Sequence, residues 1–124
     1  MADAPLDVRV EDGPTGPTIR FSGRIDRDAD AAVAEAWTVA SGLAVPGASV
    51  TLDFSQADYI NSTGIALIVR LLADARGVHL PIRGRGLTAH YVEIFRITRL
   101  SDFMTIEESA APVGGNTAEA ARDE

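Results

Sequence analysis

Residues 50–69 read VTLDFSQADYINSTGIALIV, and this stretch decides how the chain is interpreted. It begins as a short apolar strand, crosses a polar loop and ends in an apolar helix. Where the loop meets the helix stand two adjacent hydroxyl residues, Ser62 and Thr63, followed by Gly64. The first N–H groups of a helix have no partner within the helix, and the macrodipole is positive there. Such a corner can hold a phosphoryl group, either bound or covalently attached.

The two hydroxyl residues also have a simpler interpretation as helix caps. Ser and Thr are preferred N-cap residues, because their side-chain oxygen accepts a hydrogen bond from an early backbone N–H group. Capping accounts well for a single hydroxyl residue. It accounts less well for the ordered sequence DYINSTGIA at residues 58–66, which follows a strand ending in LDFS.

That ordered sequence resembles the central signature of the STAS domain, the module of bacterial anti-sigma factor antagonists and of sulfate-transporter tails. The resemblance runs from Val8 to Ile106 and includes FSGRID at residues 21–26 and ITRLSDF at residues 97–103. In the antagonists the motif is usually Asp-Ser-Ser-Gly, and the hydroxyl residue before the glycine accepts the phosphate. The resemblance therefore implies Thr63 as the acceptor, with Ser62 as the alternative.

Two positions depart from the antagonist pattern. Asn61 stands where an Asp is common, and the acceptor is Thr rather than the more usual Ser. Both departures leave the expected fold unchanged, and both bear on which kinase acts on the domain.

The resemblance implies a switching protein without catalytic activity and without a cofactor. An unphosphorylated antagonist binds an anti-sigma factor that has serine/threonine kinase activity, and the sigma factor is released. The kinase then phosphorylates the antagonist, and a serine/threonine phosphatase resets it. The alternative is a STAS scaffold or accessory subunit of a stress-signalling or lipid-transport assembly, with no phosphorylation. The residues expected to bind the partner are Asp26, Asp58, Asn61, Ser62, Gly64, Ile65 and Ala66.

Composition narrows the class of protein. The chain has 124 residues, which suits one domain, expected at residues 6–108 with a disordered or weakly helical tail at 109–124. The formal net charge of -7 argues against nucleic acid or an anionic membrane as the main partner, because those contacts need clustered basic residues. The absence of cysteine excludes disulfides and thiolate metal sites, and with no visible signal peptide it suggests a cytoplasmic protein without membrane insertion.

Hydrophobic periodicity predicts an α/β domain with the order β-β-α-β-α-β-α-β. Because helices separate the later strands, we expect a mixed, STAS-like sheet with parallel pairing in its second part. Gly23 is predicted to end the second strand, and Gly77 is predicted to form the C′ cap of the helix that follows the third strand. The predicted strands are 6–10, 18–22, one beginning at Val50, 78–82 and 103–106, and the predicted helices are 30–40, 62–76 and 88–98.

The remaining polar residues give little support for an enzyme. His79, in a predicted strand, and His90, early in a helix, belong to no hydrolase or metal motif, and we expect surface or structural roles. Asp26, Asp53 and Asp58 could form a polar rim near Thr63 that a kinase reads. In the alternative interpretation, Asp26 caps a turn and Asp53 holds the loop by accepting backbone N–H bonds.

Overall fold

The structure, a computed structural model, describes residues 6–107. The predicted order of strands and helices is confirmed, with two short 3₁₀ turns added at Arg27–Ala29 and Leu100–Asp102. The expectations for residues 1–5 and for the tail at 109–124 lie outside the described residues. The elements are β1 (Asp7–Glu11), β2 (Thr18–Ile25), α1 (Asp30–Leu43), β3 (Val50–Ile60), α2 (Ser62–Gly77), β4 (Ile82–Arg85), α3 (Ala89–Ile97) and β5 (Thr105–Ile106).

The strands form one mixed sheet in the order β1-β2-β3-β4-β5. β1 pairs antiparallel with β2, and every later neighbour is parallel, as the helical connections predict. The core lies between this sheet and the helices, because apolar residues alternate along β2 and recur at helical spacing in α1 and α2. Phe54 joins the layers, since its ring stacks on Phe21 at 5.1 Å and meets the edge of Phe95 at 5.9 Å. Among residues 6–107, no helix has the length and apolarity needed to cross a membrane.

Two strands extend further than predicted. Gly23 does not end β2, because it is buried within the strand at φ 93° and the strand continues to Ile25. The polar segment after Phe54 is not a loop but the second half of β3, which runs to Ile60 and pairs with the end of β2. The prediction was wrong here because residues 55–59 are mostly exposed, so the segment has the polar composition of a loop although it pairs with β2.

The end of α2 also differs from the prediction. Gly77 is still helical, and His79, two residues later, adopts the left-handed conformation at φ 59°. The N–H of Leu80 donates to the carbonyl of Ala75 at 2.9 Å and that of His79 to Arg76 at 3.1 Å, which is a Schellman motif. This motif occupies part of the predicted strand at 78–82, so His79 lies outside any strand and β4 begins only at Ile82.

Asp53 anchors the polar face of the sheet rather than the Thr63 corner. Its carboxylate accepts from the N–H of Ser55 at 2.9 Å and the hydroxyl of Ser55 at 2.7 Å. Arg20 on β2 and Arg85 on β4 each approach it at 3.3 Å, from positions directly opposite in the register. Seven residues of strand, roughly 23 Å, separate Asp53 from the end of β3. The alternative in which Asp53 holds the backbone therefore describes its role.

Burial and hydrogen bonding act on Asp53 in opposite directions. Desolvation alone would raise the pKa of this carboxyl, but the two hydrogen bonds from Ser55, with those from Arg20 and the charge of Arg85, lower it below its ordinary value of 3.8. A lowered pKa means that the native state is stabilised by the ionised form. This stabilisation is complete above pH 3.8 and is lost as the pH falls through the lowered value.

We expect Asp53→Asn to lower the free energy of unfolding at pH 7 by about 1–3 kcal/mol, because it removes charged hydrogen bonds at a buried site. Denaturant titrations at pH 7 and at stepwise lower pH measure the effect. The difference between native and variant protein should shrink below pH 3.8. The control is Asp7→Asn, which removes the exposed pair with Arg9 and should cost less than about 0.5 kcal/mol. Equal losses in the two variants would contradict a special role for Asp53.

Candidate functional site

The corner where β3 meets α2 is capped by Asn61. Its side-chain oxygen accepts from the N–H of Gly64 at 2.8 Å, and its own backbone is extended at φ -91° and ψ -177°. The alternative interpretation of Ser62 or Thr63 as the helix cap is therefore wrong. Both lie inside the first turn of α2, where the N-cap geometry is no longer available.

Both hydroxyl residues of the first turn are open to solvent. Ser62 and Thr63 are exposed, and neither side chain makes a hydrogen bond to any other part of residues 6–107. Because neither hydroxyl caps the helix or makes another hydrogen bond within the described residues, both are available for modification or for contact with a partner. They stand at the positive end of a helix of 16 residues.

Gly64 brings α2 against the end of β2. A Cβ atom at this position would lie 2.1 Å from the carbonyl oxygen of Ile25, which is far inside van der Waals contact with rigid backbone. The N–H of Asn61 donates to that same oxygen at 3.2 Å. Gly64 is consequently buried and cannot offer a side chain to a partner, although it was expected to belong to the binding surface.

Tyr91 holds the last residue of β3, and the sequence analysis did not identify this role. β4 pairs with β3 only as far as Asp53, so the end of β3 has no strand neighbour on that side. Ile60 instead donates its N–H to the hydroxyl of Tyr91 at 3.0 Å. The available signal was a tyrosine on the inward face of α3, because a buried tyrosine hydroxyl usually has a hydrogen-bond partner.

The two expected rim carboxylates lie at this end of the sheet with different contacts. Asp26 follows Ile25 directly, and its side chain accepts from the N–H of Asp28 at 3.0 Å, so it caps the turn at Arg27–Ala29. Arg24 approaches Asp26 at 3.6 Å and lies over the ring of Tyr59 at 4.9 Å. Asp58 is exposed on β3, next to Tyr59. Asp26 thus has a structural role as a turn cap, whereas the side chain of Asp58 is exposed to solvent.

The apolar stripe of α2 divides between core and surface. Leu67, Ile68, Leu71 and Leu72 are buried against the sheet. Ile65 is half-buried and packs against the core, whereas Ala66 is exposed. One turn further along, Val69 is 45% exposed. Thr63, Ala66 and Val69 therefore follow one another along a helix face that the described residues leave uncovered.

The structure offers no support for a metal centre. Within residues 6–107, no three His, Cys, Asp or Glu side chains come together in a group that could hold an ion. His79 ends α2, and exposed His90 contacts Tyr91 through its ring edge at 5.0 Å on α3.

The cap gives a direct test of this corner. Asn61→Ala should lower the free energy of unfolding by about 0.5–2 kcal/mol, because it removes the bond to Gly64. Ser62→Ala, one residue later and outside the cap, should stay within about 0.5 kcal/mol of the native protein. Urea titrations of both variants measure the difference. A larger loss in Ser62→Ala would return the cap to the hydroxyl residues.

Comparison with known proteins gives a family model and several similar structures. The model described as "Mlab, STAS domain" matches residues 8–107. No match was found among curated protein sequences. An anti-sigma-factor antagonist (STAS) domain protein from Planctomyces limnophilus is 17% identical, with a TM-score of 0.68 over 86% of this chain and 92% of that one.

Two further similar structures carry the name SpoIIAA, and the phosphorylated one is described as a Bacillus cell fate determinant. The anti-sigma factor antagonist SpoIIAA in its unphosphorylated form is 13% identical, with a TM-score of 0.62 over 83% of this chain and 89% of that one. SpoIIAA in its phosphorylated form is 15% identical, with a TM-score of 0.58 over 82% and 91%. At these identities the likeness is one of fold. Since the family model spans most of the chain and the fold agrees with it, the protein belongs to the STAS domain family.

Proposed function

We propose that this STAS domain is an anti-sigma factor antagonist whose partner binding is controlled by phosphorylation of Thr63. The observation that carries the proposal is the division of roles at the start of α2. Asn61 makes the cap and Gly64 makes the backbone contact, so the exposed hydroxyl of Thr63 is left available. Thr63 rather than Ser62 is chosen because it directly precedes the glycine, and Ser62 is the alternative acceptor.

The proposed partner is an anti-sigma factor that has serine/threonine kinase activity. The unmodified domain binds it in the cytoplasm and thereby frees a sigma factor. The kinase then transfers the γ-phosphoryl group of ATP to Oγ1 of Thr63: a new P–O bond forms, ADP leaves and the hydroxyl proton is released. A serine/threonine phosphatase hydrolyses the ester and restores the antagonist. The domain itself performs no catalysis.

Charge explains how one phosphate could separate the complex. Phosphorylation adds about two negative charges at pH 7. The chain already carries a formal net charge of -7, and Asp26 and Asp58 lie at the same end of the sheet. In the free domain the positive end of α2 can stabilise the new charge. Against a docked partner the phosphate must lose water and meet the partner surface, and a penalty of about 4 kcal/mol would weaken binding about a thousandfold.

The residues of the proposed binding surface around the acceptor differ in their exposure to solvent. Ser62, Ala66 and Asp58 are exposed and can contact a partner directly. Asn61, Ile65 and Asp26 are partly exposed, and each also has a structural contact. Gly64 contributes by its absence of a side chain, which brings the helix start close to the sheet.

A second candidate is a scaffold or accessory subunit of a stress-signalling or lipid-transport assembly. The observation that favours it is Asn61, because the cap explains this residue completely without any part in phosphate chemistry. In that case the surface around Thr63 binds its partner permanently, and no phosphate is added.

The central experiment is phosphorylation of the full chain. Incubated with the anti-sigma factor kinase and ATP, the native protein should gain one phosphate that mass spectrometry places on Thr63. Thr63→Ala should abolish labelling with a change in unfolding free energy within about 0.5 kcal/mol, because Thr63 does not cap the helix. Ser62→Ala is the matched control and should retain labelling. Labelling that follows Ser62 instead would move the acceptor, and no labelling of the native protein would favour the scaffold.

Ala66→Arg tests the docking face without touching the acceptor. The position is exposed on α2, so a larger charged side chain should leave the melting temperature nearly unchanged. Partner affinity should fall at least tenfold, measured by calorimetry or biosensor, because the side chain would obstruct a closely packed interface. Full affinity in a folded variant would show that the partner binds elsewhere.

A further inference from the structure

A groove of about 690 Å³ lies at the end of the domain opposite Thr63. It is formed by the last turns of α2, the connection to β4 and the segment that leads into β5. About 13 helical residues, or roughly 20 Å, separate Arg76 from Thr63 along α2. Polar and apolar side chains both line it, and its volume is in the usual range for small-molecule sites, about 300–1,000 Å³. The apolar side chains of the lining that reach the surface are Leu80, Pro81 and Phe103.

Within residues 6–107, Arg76 in this groove has no acidic partner, whereas most of the other arginines do. Of the ten arginines in residues 6–107, eight form ion pairs with Asp or Glu, and the exceptions are Arg27 and Arg76. The guanidinium of Arg76 lies over the ring of Phe103 at 5.2 Å, which orients it without occupying its N–H donors. The nearby carboxylate of Asp102 is engaged by Arg99 at 2.9 Å.

The surroundings of the groove carry further marks of a binding site. A second cavity of about 560 Å³ shares the wall formed by His79, Leu80 and Pro81. Val78 is 59% exposed and Phe103 is 48% exposed, so this end of the domain presents apolar surface to solvent.

We propose that this groove binds an amphiphilic organic anion. The carboxylate or similar head group is bound by the N–H donors of Arg76, in the paired geometry that guanidinium and carboxylate favour. The apolar body lies along Leu80, Pro81 and Phe103, which line the groove and reach its surface. Charge complementarity selects the class of ligand, because the chain is acidic overall and Arg76, which has no acidic partner within residues 6–107, lies beside apolar side chains in the groove. The site is independent of phosphorylation at Thr63 and would give the domain a second input.

Decanoate is the probe, added below its micelle concentration to the full chain. We expect saturable binding by calorimetry, with amide shift changes in two-dimensional NMR confined to residues 72–82 and 101–105. Arg76→Gln should weaken binding about tenfold, in keeping with the loss of a charged hydrogen-bonded pair. Arg27→Gln is the matched control, since Arg27 also lacks an acidic partner, and it should bind as the native protein does. Decanol and acetate each lack one half of the ligand and should bind at least tenfold more weakly.

Several results would overturn the proposal. These are the absence of saturable decanoate binding, shift changes centred elsewhere, equal binding of decanol, or equal affinity in Arg76→Gln. An equal loss in Arg27→Gln would show an effect of net charge only. Melting temperatures check that the variants fold. If Arg76→Gln does not fold, Arg76→Lys replaces it, and it should bind more weakly than the native protein because lysine lacks the planar pair of donors.

Discussion

The contact between Gly64 and the carbonyl of Ile25 is the constraint on which the rest of this domain depends. With no Cβ, the first turn of α2 rests directly on the end of β2, where any side chain would come within 2.1 Å of the carbonyl oxygen. Asn61 donates to that oxygen and also caps the helix, so one carbonyl fixes both sides of the corner. Because the backbone and Asn61 do this work, the hydroxyls of Ser62 and Thr63 remain at the surface.

The carboxylates near this corner differ in role from the one far from it: some are exposed to solvent, and the distant one is used by the fold. Asp53 is buried between Arg20 and Arg85 on the polar face, where its charge is matched and its lowered pKa reflects use by the fold. Asp58 is exposed at the end that carries Thr63. Asp26 stands between the two cases, since it caps a turn and remains beside the corner. The charge of Asp58 therefore remains at the surface near Thr63, whereas the charge of Asp53 stabilises the sheet.

Local patterns in the sequence predicted the order of elements, the mixed sheet and the start of α2 at Ser62, because helical periodicity and turn residues act over a few positions. The details that were wrong depend on distant parts of the chain. The polar half of β3 is a strand only because β2 lies beside it. His79 is left-handed because the end of α2 must turn toward β4, although Gly77 was the better local candidate. The bond from Ile60 to Tyr91 joins residues 31 positions apart. At the site, the sequence pattern marked the start of α2, but the alternative of a hydroxyl cap was wrong, because Asn61 makes the cap.

The position of the cap at Asn61 determines what a phosphate on Thr63 could do. If Thr63 capped α2, modification would break the cap and the effect would spread through the helix. With Asn61 as the cap and Gly64 as the contact, the added group meets neither interaction, and the helix dipole favours its charge. The folded domain should then be nearly the same in both forms. A switch built in this way acts at the interface, where the phosphate meets the partner, rather than through a rearrangement of the fold.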